Sequence, residues 1–334
     1  MAEGQSIPGK RPTMIEVARL AGVSHQTVSR FLRHEGGLRP ETVVRIERAV
    51  DELGYRPNLV ARSMRTRRTG RLAVLLPHLT FDPARMVAGA AEAAEAAGFT
   101  IEVLSVGGTS RRAERAREIA DSGQVEGVLS LAPLGADVVE GSVPIIASDE
   151  VDDDMRGIGG LIDASPVDEI VAHLVDLGHR RFAYVGGDPG FASARARRER
   201  FVAAAALHGV EVTDVVDGDW GGESGVDFAM SWDAGRRPTA VVAANDIVAA
   251  GVIRGARARG WRVPDDLSVT GWDDHAVARF TVPSLTTVGV DREGLGRNAM
   301  RRLIAVLRPE AEVEPAPLST AVIWRESTGP APAT

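Results

Sequence analysis

The pattern of hydrophobic and polar positions divides the 334-residue chain into a short helical region and a long region of alternating strands and helices. Near the N-terminus, apolar residues recur at helical spacing over 13–21, 24–32 and 40–53. From residue 71 onward, short apolar runs predict strands over 72–76, 100–106, 128–131, 144–147, 181–185, 212–216, 240–243 and 268–271. The amphipathic stretches between these runs predict helices, and this alternation is typical of parallel sheets covered by helices. A break near Asp163 divides the run into two similar subdomains with a cleft between them.

The first two helical segments have the signals of a helix-turn-helix. Thr13 can cap the first helix, and Glu16 stands three residues later, as in a capping box. Gly22 supplies a position of positive φ for a sharp turn, and Ser24 can cap the second helix. A third helix begins at Pro40 and ends at residue 53. Helix, glycine turn and helix are a common DNA-binding arrangement.

The second helix separates apolar from polar side chains. Val28, Phe31 and Leu32 lie on one face, and the other face carries His25, Gln26, Ser29 and Arg30. Gln is suited to reading adenine and Arg to reading guanine. Three amphipathic helices alone would also fit a purely structural subdomain, but charge favours DNA binding. Residues 1–71 carry a net charge of about +7, whereas the whole chain carries −7.

Composition excludes several classes of function. The chain has no cysteine, which excludes disulfides, thiolate metal sites and cysteine nucleophiles. It has no apolar run of about 18 residues and no secretory signal, so we expect a cytoplasmic protein associated with the nucleoid. The seven histidines lack metal-site spacing, and no nucleotide fingerprint or nucleophile motif is present. Asp273 and Asp274 are adjacent rather than opposed, which disfavours glycosidase chemistry. We therefore expect no enzyme activity, no cofactor and no metal.

A basic segment joins the two regions. Asn58 can cap a short helix over 58–64, which is too short to be stable alone. Such a segment could become ordered on binding DNA, and the alternative is a solvated linker.

Polar residues and one tryptophan follow strand ends in the α/β region. They are Asp149, Arg195, Trp220, Asn245 and Asp273. Carboxylate, amide and guanidinium groups beside an aromatic ring are suited to binding a sugar. The alternative for Asn245 is a helix cap, and for Trp220 it is ordinary packing.

Several motifs together resemble the lactose-repressor/galactose-repressor family of bacterial transcription regulators over almost the whole chain. They are IEVARLAGVS over 15–24, TVSR over 27–30, ELGYRPN over 52–58, DLGHRRF over 176–182, AND over 244–246 and GWDD over 271–274. The resemblance implies a small all-α helix-turn-helix head and an α/β two-subdomain, periplasmic-binding-protein-like effector domain. It also implies a homodimer on a palindromic operator, a sugar effector and no membrane partner.

The same resemblance implies roles for individual residues. The DNA-binding set is Thr13, Ser24, His25, Gln26, Thr27, Ser29, Arg30, Asn58, Ala61 and Met64, where Met64 takes the place of the usual leucine that wedges between base pairs. The effector-binding set is Asp149, Arg195, Trp220, Asn245 and Asp273. Arg39 stands where the family usually has a capping Ser or Thr, so we expect a weaker cap on the third helix. The chain lacks C-terminal leucine heptads, which disfavours a tetramer.

The predicted domains follow from these patterns together with the resemblance. They are a head over 12–56, a hinge helix and linker over 57–70, and a sugar-binding domain over 71–326. The sugar-binding domain divides into about 71–162 plus 292–319, and 163–290 plus 320–326, and a disordered tail over 327–334 follows. The predicted function is repression of sugar-utilisation genes, released by a small sugar or glycoside. The alternatives are a regulator that uses its ligand as a corepressor, as purine-responsive relatives do, and a solute-binding protein without DNA binding.

Overall fold

The computed structural model describes residues 12–32, 36–55, 68–76, 83–134, 141–148, 159–232, 235–310 and 316–333. The chain forms two compact units, Met1–Thr69 and Gly70–Thr334. The predicted site residues Asn58, Ala61, Met64 and Asp149 lie outside the described residues.

The first unit contains the helices α1 (Met14–Ala21), α2 (His25–Leu32) and α3 (Pro40–Leu53). The predicted capping box is confirmed, because the Thr13 hydroxyl accepts the Glu16 N–H at 3.3 Å while the Glu16 carboxylate accepts the Thr13 N–H at 2.7 Å. Gly22 has a φ of 62°, as the sharp turn requires. The helix-turn-helix is therefore confirmed.

A small apolar core holds the three helices together. Its buried members are Val17, Ala18, Ala21, Val28, Ile46, Ala49 and Tyr55. At the start of α3, Arg39 makes no side-chain cap, as expected, and Pro40 occupies the first turn.

The second unit begins with a subdomain that we call the N-subdomain. Its parallel sheet has the order β2-β1-β3-β4, formed by β1 (Arg71–Leu76), β2 (Thr100–Ser105), β3 (Gly127–Ser130) and β4 (Ile145–Ala147). The helices α4 (Ala84–Ala96) and α5 (Thr109–Asp121) pack on this sheet. The central strand β1 is buried from its second residue onward, as a strand covered on both faces should be.

The C-subdomain repeats this plan. Its parallel sheet has the order β6-β5-β7-β8, formed by β5 (Arg181–Val185), β6 (Glu211–Val216), β7 (Ala240–Ala243) and β8 (Ser268–Thr270). Its helices are α6 (Pro166–Asp176), α7 (Ala192–Leu207), α8 (Gly222–Ser231) and α9 (Asp246–Ala258). The predicted architecture, a helical head followed by an α/β region of two subdomains, is confirmed.

Three further elements complete the fold, and the strand and helix pattern above did not predict them. β9 (Thr287–Val290) pairs antiparallel with β10 (Thr320–Ile323), and α10 (Arg292–Leu307) lies between them in the chain. α10 packs on α4 and β3, so the chain returns to the N-subdomain after completing the sheet of the C-subdomain.

The contact between α10 and α4 is unusually close. A Cβ atom added at Gly89 would lie 1.9 Å from the carbonyl oxygen of Glu293, and one at Gly296 would lie 1.8 Å from that of Met86. In the C-subdomain α8 and α9 meet in the same way, at Gly222 and Gly251. Each subdomain is therefore built around two helices whose backbones touch.

The prediction of a disordered C-terminal tail over 327–334 is wrong for its described part, 327–333. The Ser327 side chain is fully buried, and its hydroxyl donates to the Val269 carbonyl at 2.6 Å. Further along, the Ala331 N–H donates to the Leu177 carbonyl at 2.8 Å. Hydrogen bonds therefore fasten this segment to the C-subdomain.

Within the described residues, no helix combines the length and the apolar composition needed to cross a lipid bilayer.

Candidate functional site

Four loops meet at one edge of the C-subdomain sheet. They follow β5, β6, β7 and β8, which are neighbours in the sheet and parallel, so their carboxyl ends point the same way. Ligands of open α/β sheets bind at this edge. Of the predicted effector residues, Trp220, Asn245 and Asp273 all lie on these loops.

A buried arginine reaches the same edge from the start of α7. Arg197 is 6% exposed, and its guanidinium donates to the Ala244 carbonyl at 2.6 Å. The guanidinium carbon lies 4.1 Å from the ring centre of Trp272 and 5.8 Å from that of Trp220. Burial lowers the pKa of Arg197, and the nearby Asp273 carboxylate opposes that shift. Arg197 therefore presents a desolvated positive charge beside two indole rings.

The structure corrects the choice of arginine. Arg195, the residue predicted from the sequence, is exposed, and its guanidinium donates to the Pro189 carbonyl at 2.5 Å. Positions 195 and 197 differ by about 200° around a helix, so only one of the two can face the sheet edge. A helical signal existed: Ala194, Arg197 and Phe201 share the buried face of α7. This spacing distinguishes Arg197 from Arg195 in the sequence alone.

Asn245 joins two of the loops. Its side-chain oxygen accepts the Val248 N–H at 2.8 Å, so it caps α9, and its amide nitrogen donates to the Trp220 carbonyl at 3.1 Å. The capping alternative is therefore confirmed for Asn245, and the same side chain also fixes the Trp220 loop.

Trp220 adopts a strained backbone conformation with a φ of 68°. Its ring covers Gly187, where an added Cβ would lie 2.4 Å from the indole, and it meets Phe191 edge to face at 5.3 Å. Within the described chain, its buried Nε1 has no hydrogen-bond partner. Packing against Gly187 and Phe191 therefore explains part of the role of Trp220. Its unpaired indole N–H could still donate a hydrogen bond to a ligand.

Asp273 also has a positive φ, of 100°. Its carboxylate forms an ion pair with Arg292 of α10 at 2.7 Å, and its carbonyl accepts from Arg85 of α4 at 3.4 Å. Both arginines belong to helices of the N-subdomain, so Asp273 is a point at which the two subdomains meet.

A second carboxyl lies beneath this edge. Asp246 is 3% exposed, and its two oxygens accept from the Thr287 hydroxyl at 2.5 Å and the His275 N–H at 2.6 Å. Burial raises the pKa of Asp246 to about 7, although both hydrogen bonds act in the opposite direction.

Together these groups can recognise a polyhydroxylated molecule. Arg197 donates, Asp273 accepts, and the aromatic pair Trp220 and Phe191 offers apolar surface for C–H groups. Across the described segments, no cluster of three or more His, Cys, Asp or Glu residues could hold a metal ion.

The first unit presents its polar helix face to solvent. His25, Gln26 and Arg30 are exposed, and Ser29 is half-buried. Ser24 caps α2, since its hydroxyl accepts the Thr27 N–H at 3.1 Å and lies 2.8 Å from the Thr27 hydroxyl. Thr13 is likewise exposed while it caps α1.

One predicted base reader already has a partner within the chain. The Arg30 guanidinium donates to the Gly36 carbonyl at 2.9 Å. Because a guanidinium carries five N–H donors, this bond leaves others for a second partner.

Comparison with protein-family models gives two matches. Residues 13–58 match bacterial regulatory proteins of the lacI family, and residues 171–328 match a periplasmic binding protein-like domain. The first match covers the helix-turn-helix, and the second covers most of the C-subdomain with its site.

Among curated proteins, this chain is similar to the HTH-type transcriptional regulator CelR of Thermobifida fusca. The two are 34% identical over 95% of this chain and 98% of the relative. The lactose operon repressor of Escherichia coli K12 is 29% identical over 96% of this chain and 91% of that repressor.

Solved structures agree with these matches. A Lac repressor dimer bound to operator and the anti-inducer ONPF superimposes with a TM-score of 0.71 at 28% identity, covering 96% of this chain and 100% of the other. A complex of the transcriptional regulator CelR with cellobiose has a TM-score of 0.60 at 30% identity, covering 95% and 100%.

Proposed function

The chain belongs to the lacI family of bacterial regulatory proteins, and we propose that this transcriptional regulator represses sugar-utilisation genes until a small sugar releases it from its operator. The observation that carries the proposal is the convergence of Arg197, Trp220 and Asp273 at one sheet edge of a chain with a helix-turn-helix head.

The proposed effector site uses each group for one task. Arg197 and Asp273 bind vicinal hydroxyls of the sugar, as charge-assisted donor and acceptor. Trp220 covers the C–H face of the ring, and Asn245 keeps the Trp220 loop in place. Asp149, from the sequence prediction, completes the set. The relative CelR, whose complex contains cellobiose, supports a sugar as the ligand class.

The proposed DNA interface is the exposed face of α2. Gln26 and Arg30 read base edges in the major groove, with His25 and Ser29 beside them, while Thr13, Ser24 and Thr27 hold the helix ends next to the phosphate backbone. Asn58, Ala61 and Met64 would act in the minor groove, within the proposed linker over 57–70. This activity would place the protein on the nucleoid in the cytoplasm.

We further propose that the protein acts as a homodimer through its C-subdomain. Three large apolar side chains, Val277, Phe280 and Val282, are 58%, 77% and 76% exposed within six residues. Monomeric proteins seldom expose such a cluster, and the similar Lac repressor structure is a dimer. Two identical heads would match a palindromic operator.

Calorimetric titration of a panel of mono- and disaccharides tests this function, with cellobiose as the first member and with operator DNA from beside the protein's own gene. We expect one sugar to bind the wild type and to weaken operator binding by about tenfold or more. Arg197→Lys keeps the charge but loses the planar group, so sugar binding should fail while operator binding persists. Arg195→Lys is the matched control and should respond like the wild type.

Two outcomes contradict the proposal. A sugar that tightens the operator complex would identify a corepressor-dependent regulator. If Arg195→Lys abolishes the response and Arg197→Lys retains it, the assignment of the site is wrong.

A further inference from the structure

A buried guanidinium stacks on a buried indole beneath the candidate effector site. The guanidinium carbon of Arg197 lies 4.1 Å from the ring centre of Trp272, which is 2% exposed. Trp272 belongs to an apolar cluster that includes Tyr184, Phe201 and Val288. The arginine therefore rests on the wall of the hydrophobic core rather than in solvent.

The buried positive charge of Arg197 is stabilised in an unusual way. In the described part of the chain, no carboxylate oxygen lies within 4.0 Å of its guanidinium, and the one hydrogen bond that it makes goes to the Ala244 carbonyl. Buried charges are normally paired with an opposite charge. The π face of an indole attracts a cation most strongly when water is excluded, so Trp272 supplies the missing stabilisation.

The backbone fixes Trp272 on both sides. Its carbonyl accepts the Asp246 N–H at 3.0 Å, and the N–H of the next residue, Asp273, donates to the Val288 carbonyl at 2.8 Å. One short segment thus positions the ring under Arg197 and also the carboxylate of Asp273.

We propose that Trp272 is a positioning residue for the effector, because its indole face orients the Arg197 guanidinium toward the bound sugar. An aliphatic side chain is also apolar but is smaller than an indole and offers no π face to the cation. The inference rests on the proposed function, since the sugar is the ligand that Arg197 would meet.

Labelling with phenylglyoxal, an arginine-selective reagent, tests the stacking without any sugar. Peptide mass spectrometry of the full-length free protein gives the labelling rate of Arg197. Trp272→Leu should raise that rate roughly tenfold, because the guanidinium is no longer held, whereas Trp272→Phe should keep it within about threefold of the wild type. Trp232→Leu is the matched control, since Trp232 is also buried but packs on Phe228 and Trp261, and it should leave Arg197 protected.

Calorimetry with cellobiose and the rest of the panel tests the consequence. Trp272→Leu should weaken binding of the responding sugar roughly tenfold, and Trp272→Phe should restore most of it. Thermal midpoints of the Trp272→Leu and Trp232→Leu variants separate this effect from a general loss of stability.

Each failure has its own signature. Unchanged Arg197 labelling in Trp272→Leu, or equal labelling in the Leu and Phe variants, overturns the stacking role. Faster labelling with unchanged sugar affinity overturns the positioning role. Failure of every sugar to bind the wild type overturns the proposed function instead, and the labelling result still decides whether Trp272 holds Arg197.

Discussion

Arg292 and Asp273 form an ion pair of 2.7 Å that links helix α10 of the N-subdomain to the loop after β8 of the C-subdomain. Their side chains are only 16% and 14% exposed, so solvent screens the pair far less than it screens a surface pair. Asp273 is also the proposed acceptor for the sugar. The residue that would sense the effector is therefore bound to the opposite subdomain.

Arg292→Gln should weaken the response to the effector. Without the guanidinium, the Asp273 carboxylate loses the contact that orients it, and its strained backbone can relax. We expect the sugar concentration for half-maximal operator release to rise about tenfold, measured by fluorescence anisotropy. Arg297→Gln is the control, because Arg297 lies on the same helix but pairs with Glu92 within the N-subdomain. A lower half-maximal concentration for Arg292→Gln would show that Arg292 competes with the sugar for Asp273.

Arg30→Ala should cost about 1–3 kcal/mol of operator binding and relax the preference at one base pair. The measurement is competition between operator and random DNA. Arg48→Ala, an exposed change on α3, should affect the two DNAs equally. If Arg30→Ala loses the same affinity on both DNAs, Arg30 contacts phosphate or supports its turn at Gly36 rather than reading a base.

Gly187→Ala should impair sugar binding with little loss of operator binding. The new methyl group would lie 2.4 Å from the Trp220 ring, so the indole must move from the site. We expect a changed tryptophan emission spectrum and about tenfold weaker sugar affinity by calorimetry. Gly190→Ala in the same loop is the control, since its methyl group meets only the movable Asp188 carboxylate at 3.1 Å. Wild-type affinity in Gly187→Ala would remove Trp220 from the proposed site.

Asp246 should make the protein less stable as the pH rises. The pKa of this carboxyl is about 7 in the folded protein and 3.8 as an ordinary aspartate, so between these values the folded state binds a proton that the unfolded state has lost. The free energy of unfolding therefore decreases as the pH rises from about 4 to 7. Asp246→Asn should flatten this slope in urea unfolding at several pH values, whereas Asp265→Asn, at an exposed position, should leave it unchanged. A wild-type slope in Asp246→Asn would contradict the assignment.

The sequence predicted the elements whose signals are local. Neighbouring positions alone predict the capping residues, the glycine turn and the alternation of strands and helices. The structure agrees closely with these predictions. Arg197 was missed because the helical spacing that places it with Ala194 and Phe201 was not applied, and because Trp272, which it contacts, is far away along the chain. The strand and helix pattern did not predict β9, α10 and β10, whose partners, α4 among them, lie far away in the sequence, although the domain division had assigned 292–319 to the first subdomain. The prediction of a disordered tail was wrong for a similar reason. The hydrogen-bond partners of the tail, such as Val269 in β8, lie far away in the sequence.

The return of α10 to the N-subdomain has a consequence for protein engineering. Because α10 touches α4 backbone to backbone at Gly89 and Gly296, it is an integral part of a subdomain from which it is remote in sequence. A chimaera that borrows the ligand preference of another regulator cannot be made with a single crossover after β4. The graft has to leave α10 with its host but must bring β10 and the tail, which bond to the C-subdomain, so three crossover points are needed: before α6, between β9 and α10, and before β10.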